Sequence, residues 1–174
     1  DDLRDVKWVF SSHKHSDHLD PGTLPDVFAN NPQVRLILPQ AITQHAESIG
    51  LDANRFIPTG GDETLQIGHM TVHVLPSAHK SLDYDQRSGY PYLGFVFEVD
   101  GVTLYHSGDT VVYEGLAERL QAFDLDLAFL PINGTDERRG ALHVPPNMGI
   151  SEALDLAAQV GKPLVIPHHY DMFT

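Results

Sequence analysis

The chain has 174 residues, enough for one domain with a sizeable core. Hydrophobic residues make up 41% and charged residues 20%, which excludes a disordered chain, and no apolar run approaches the ~20 residues of a membrane span. A formal net charge of −13 disfavours nucleic acid as a partner, and the absence of Cys leaves only nitrogen and oxygen to hold a metal. The lack of Cys, with no signal-peptide pattern at the start, fits a cytoplasmic protein. The 11 His residues equal Lys plus Arg in number, which directs attention to metal ligands.

Strand and helix signals alternate, predicting the α/β class. Residues 6–10 form a short apolar run that delivers a His-rich segment at its C-terminal end. Residues 36–38 read as a second buried strand, followed by a helix with Ile42, Ala46 and Ile49 on one face and Gly50 as its stop. Residues 64–67 and 70–75 predict a hairpin about Gly68-His69. Residues 92–99 and 102–105 predict another, across Asp100-Gly101. Tyr113, Leu116, Ala117 and Leu120 give a helical stripe, and residues 125–130 read as a buried strand. A last helix is predicted over 152–160, with Ser151 as N-cap and Gly161 as stop, before a final strand at 164–166.

Candidate ligands follow the predicted strands. His13, His15, Asp17 and His18 lie within one hexapeptide, and His79, Asp109 and the pair His168/His169 come later. Loops at strand ends are where α/β folds gather ligands, because rigid strands set positions while loops carry the chemistry. His13 and His15, two apart in extended backbone, project to one side.

The run His13-Lys14-His15-Ser16-Asp17-His18 resembles the H-x-H-x-D-H signature of the metallo-β-lactamase superfamily. Pro76-Ser77-Ala78-His79, His106-Ser107-Gly108-Asp109-Thr110 and Ile166-Pro167-His168-His169-Tyr170 resemble its later stations, in the same order. Within that superfamily, Leu130-Pro131-Ile132-Asn133-Gly134, Asn147-Met148-Gly149-Ile150-Ser151-Glu152-Ala153 and Pro167-His168-His169-Tyr170-Asp171 are most similar to the L-ascorbate-6-phosphate lactonase-like branch.

The resemblance implies a four-layer αββα sandwich over residues 1–174 as a single domain. Its N-terminal strands would be missing here, since so few residues precede His13. It also implies two divalent ions, one held by His13, His15 and His79 and the other by Asp17, His18 and His169, with Asp109 bridging. Two such ions would bring the net charge from −13 to −9. They would share a hydroxide that attacks a small anionic ester or lactone, such as a sugar-acid phosphate lactone, with Asp17 as the catalytic proton acceptor. Zn, Mn and Fe all suit nitrogen and oxygen ligands, and the lactonase resemblance points to Mn. The alternatives are a phosphodiesterase of the same fold, acting on a nucleotide or phospholipid head group, and a metal-binding protein without turnover. No nucleic-acid or membrane partner is expected, and a homo-oligomer is compatible with the sequence.

The remaining residues of interest carry less specific signals. The spacing after Pro167 selects His169 as ligand, which leaves His168 to support it or to touch substrate. Asp136-Glu137-Arg138-Arg139-Gly140 reads as a solvated loop, with Arg138 or Arg139 as the alternative clamp on an anionic substrate. His45, His69 and His73 are expected at the surface, and His106 beneath the Asp109 segment. Tyr84, Tyr90 and Tyr92 read as packing residues or as a pocket wall.

Overall fold

A computed structural model of the chain describes residues 3–170. Asp171 of the closing motif therefore lies outside the described residues. These fall into two compact units: one takes in the chain up to Gly61 together with Tyr84–Leu93, the other Asp62–Asp83 and the chain from Gly94 on.

The first unit carries a three-stranded parallel sheet in the order β1-β2-β3, with β1 Trp8–Phe10, β2 Arg35–Pro39 and β3 Phe56–Thr59. Parallel neighbours need crossovers, and here these include α1 Leu24–Asn30 and α2 Thr43–Ser48. Pro25 stands in the first turn of α1, where its missing N–H costs no bond. Leu24, Val27 and Phe28 turn inward there to join Leu36, Leu38 and Ala46 in the core. Gly50 ends the α2 region at φ +92°, as the sequence predicts.

The second unit is built on a six-stranded sheet in the order β4-β5-β6-β7-β8-β9. Its strands are β4 Glu63–Ile67, β5 Met70–Pro76, β6 Leu93–Val99, β7 Val102–His106, β8 Leu127–Pro131 and β9 Leu164–His168. β4/β5 and β6/β7 are the two predicted hairpins, while β7/β8 and β8/β9 run parallel. Asp100 and Gly101 both adopt positive φ, at 51° and 81°, which is the turn that matches strand twist. Val96, Tyr105, Ala128 and Leu130 from the sheet pack with Leu116 and Leu120 of α3 Leu116–Leu120. Burial pushes the Tyr105 phenol above its ordinary range, so it stays neutral.

Several expectations need correction. The charged segment after β8 is not a loop but a short helix, α4 Glu137–Ala141, because the Asp136 carboxylate accepts from Arg139 N–H at 2.8 Å and caps it. The last helix is α5 Ile150–Gln159, begun by Gly149 rather than Ser151: the Glu152 side chain reaches back to the Gly149 N–H at 2.8 Å. The helical stripe from Tyr113 shortens to α3, because Gly115 sits before it at φ +91°. His73 is half-buried rather than fully exposed: its side chain is 22% exposed, bonded to Thr64 at 2.9 Å and packed on Phe123. No helix among the described residues is long and apolar enough to cross a membrane.

Candidate functional site

In the first unit the potential ligands share one loop, pinned at both ends. Beyond β1, Ser11 N–H donates to the Ile37 carbonyl at 2.9 Å, extending the β1/β2 pairing by one bond. At the far end Leu19 is fully buried in the core, a contribution of roughly 1.5–3 kcal/mol for a leucine side chain. Between them the backbone turns, with the His18 and Leu19 N–H groups both donating to the His15 carbonyl at 2.9 and 2.8 Å.

That turn brings the side chains together. His13 Nε2 lies 2.8 Å from His15 Nδ1, and Asp17 Oδ2 lies 3.5 Å from His18 Nε2. Ser12 Oγ sits 3.0 Å from His13 Nδ1 and 2.9 Å from His18 Nδ1. A hydroxyl oxygen has two acceptor sites, so Ser12 can take an N–H from each ring. Both Nε2 atoms are then lone pairs, the state a metal ligand requires. The Tyr92 ring packs on His13 at 5.4 Å, and the Tyr84 and Tyr90 rings contact each other at 4.9 Å.

In the second unit the ligands come from separate strands. His79 follows β5, Asp109 follows β7 and His169 follows β9. The first two segments are laced together: Val111 N–H donates to the Ala78 carbonyl at 2.7 Å, and Ala78 N–H to Thr110 Oγ1 at 3.0 Å. Gly108, at φ +60°, turns the chain out of β7 so that Asp109 faces inward. His169 also has positive φ, at 57°, which is uncommon for a non-glycine residue.

Asp109 is the hub of this cluster. Its Oδ2 lies 3.4 Å from His79 Nε2 and its Oδ1 lies 2.8 Å from His169 Nε2. His79 Nδ1 donates to the Pro146 carbonyl at 3.1 Å, so the neutral ring presents a lone pair at Nε2. Two acceptors facing each other call for a cation, a proton or a metal ion, to bind both. Asp109 and His79 are both buried, which strengthens that demand. The donor set, imidazole nitrogen and carboxylate oxygen throughout, fits a divalent transition metal.

The other candidates are placed as follows. His106 lies under the Asp109 segment as expected: its Nδ1 accepts from Gly108 N–H at 3.1 Å, and its ring stacks with those of Phe129 and His168. His168 is the last residue of β9, edge-on to His169 at 5.0 Å. Arg139 is committed locally, donating to the Asn133 carbonyl and pairing with Asp136 at 3.3 Å, whereas Arg138 is exposed. His45 and His69 are exposed. Two contributors escape sequence reasoning: the Ser12 hydroxyl, whose residue type carries no ligand signal, and Asn147, which donates to Asp109 Oδ2 at 3.2 Å.

Comparison with known proteins gives the family. Residues 1–170 match the model of the Beta-lactamase superfamily domain. A UPF0173 metal-dependent hydrolase of Alkaliphilus metalliredigens is 32% identical over 97% of this chain and 70% of its own length. The chain belongs to the metallo-β-lactamase superfamily. Within the superfamily it is a member of the UPF0173 family, and another relative, from Nanoarchaeum equitans, is 31% identical over 97% of the chain and 72% of its own length.

Solved structures share the fold. Igni18, a metallo hydrolase from Ignicoccus hospitalis, matches with a TM-score of 0.71 at 21% identity, over 96% of this chain and 65% of its own. An isothiocyanate hydrolase from Delia radicum gut bacteria matches with a TM-score of 0.72 at 20% identity, over 95% and 63%. The chain spans about two thirds of the length of the curated relatives it matches.

Proposed function

We propose that the chain is a metal-dependent hydrolase with two divalent ions. His13, His15 and His79 hold one, Asp17, His18 and His169 hold the other, and Asp109 serves both. The observation that carries this reading is the convergence on Asp109, where the lone pair of His79 Nε2 approaches one carboxylate oxygen and His169 Nε2 approaches the other. Membership in a family whose members are named metal-dependent hydrolases supports it.

When bound, a pair of divalent ions lowers the pKa of a water from ~15.7 to near 7 and polarises the electrophilic oxygen. The chain supplies the rest. Ser12 and the Pro146 carbonyl hold their imidazoles in the ligating tautomer. Asp17, more exposed than its neighbour His18, accepts the proton of the attacking water.

The substrate class we propose is a small anionic ester or lactone, of the sugar-acid phosphate lactone type. Its support is the similarity of residues 130–134 and 147–153 to the lactonase-like branch, which also favours Mn over Zn or Fe. The role of anion contact falls to Arg138, since the Arg139 guanidinium is already engaged.

The test is a hydrolysis screen over lactones, carboxylate esters and bis-p-nitrophenyl phosphate, before and after chelation and reloading with metal. Lactone turnover that disappears with chelator and returns with metal is the expected result. Turnover of the phosphodiester alone would replace the lactone reading with that of a phosphodiesterase. Metal uptake with no turnover of any substrate would overturn the enzymatic reading.

A further inference from the structure

Three consecutive residues of the second unit each grip a different part of the Asp109 cluster. The Pro146 carbonyl accepts from His79 Nδ1 at 3.1 Å, Asn147 Nδ2 donates to Asp109 Oδ2 at 3.2 Å, and Met148 N–H donates to the Thr110 carbonyl at 2.9 Å. The run is itself held firmly. Met148 is fully buried in the core, Gly134 N–H donates to its carbonyl at 3.1 Å, and Asn133 bridges Gly149 in antiparallel fashion. The Asn133-Gly134 and Asn147-Met148-Gly149 segments, noted in the sequence only for their likeness to one branch, thus pair with each other beside the ligands.

The central residue of the run differs from its neighbours, because its side chain rather than its backbone makes the contact. A carboxylate oxygen only accepts, so the amide nitrogen of Asn147 must face Asp109. Its Oδ1 is left buried with no hydrogen-bond partner, in a residue only 3% exposed. A buried polar atom without a partner needs an explanation, and a residue kept for packing alone would not carry that deficit.

We propose that Asn147 is a positioning residue for Asp109, setting the rotation of its carboxylate so that Oδ2 is offered beside His79 and Oδ1 beside His169. The proposal rests on the metal reading above. The terminal torsion of an aspartate is soft, and an unrestrained carboxylate would not keep its two oxygens aimed at two different partners. A Lys or Arg would restrain it more strongly but would set a positive charge against the cations. An amide donates without charge, which is what a shared ligand between two ions calls for.

The experiment uses metal-free full chain, titrated with Zn²⁺ against a chromophoric chelator, together with the visible spectrum of the Co²⁺-loaded protein. Asn147→Leu, of similar size but lacking the donor, is expected to weaken metal binding by about 10–100-fold and to shift the Co²⁺ bands. The thermal melt of the metal-free protein should stay close to wild type. In the Asp109→Ala background the same substitution should cause no further loss, because its action runs through Asp109. Asn147→Ala carries the test should the leucine variant fail to fold. Wild-type affinity and an unshifted Co²⁺ spectrum in the variants, or equal losses in both backgrounds, would overturn the role of Asn147 and leave the metal reading standing. A wild-type chain that takes up no Zn²⁺ would instead overturn the reading on which the proposal rests.

Discussion

The two units present their candidate ligands in opposite ways. In the first unit, His13, His15, Asp17 and His18 come from one loop, and a single hydroxyl, that of Ser12, sits at both Nδ1 atoms. In the second, His79, Asp109 and His169 come from three strand ends, and a carboxylate, that of Asp109, holds the centre. The first half needs only a pinned turn, with the Ser11 bond and the buried Leu19 at its ends. The second needs the register of a whole sheet. One is therefore local in sequence and tolerant of distant change, and the other is non-local and depends on the backbone lacing between residues 77–79 and 107–111.

The sharpest contrast follows from removing each hub. On the proposed function, Asp109→Ala should cut hydrolysis by about a thousandfold or more, since it would remove a ligand to both ions and with it several kcal/mol of transition-state stabilisation. A turnover assay with excess metal measures this. Asp17→Asn should lower kcat by about a hundredfold with little change in KM, as expected when a proton acceptor is lost. Ser12→Ala leaves every ligand in place but frees two imidazole rings. Metal affinity should fall about tenfold in a chelator titration, with the loss divided between both ions. The smallest effect belongs to the scaffold: Gly101→Val, at φ +81°, should lower stability by about 1–2 kcal/mol in a denaturant melt while leaving metal stoichiometry unchanged.

What the sequence made legible follows the same division. The cluster of the first unit was readable because its residues are contiguous and carry ligand-type side chains. The hairpins were readable because Asp100-Gly101 and the alternation of β5 encode turn and face locally. His79, Asp109 and His169 became readable only through family resemblance, since nothing local says that three strand ends meet. Ser12 and Asn147 were not readable as contributors, for their roles lie in what they touch. α4 was missed because its signal is one capping carboxylate, with no apolar stripe. α5 was shifted because Glu152 serves as a reaching side chain rather than as the first helical residue. The partial burial of His73 was not readable because it comes from Phe123, a residue distant in sequence in the turn after α3.

The claim of the proposed function most open to test is that His15 and His79 serve one ion. Metals per chain, counted by native mass spectrometry, test it most directly in His15→Ala, His79→Ala and the double variant. The wild type should carry two ions, each single variant one, and the double variant still one, because both residues serve a single ion. A double variant left with none, beside single variants holding one each, would mean that the two histidines belong to different ions, and would contradict the account.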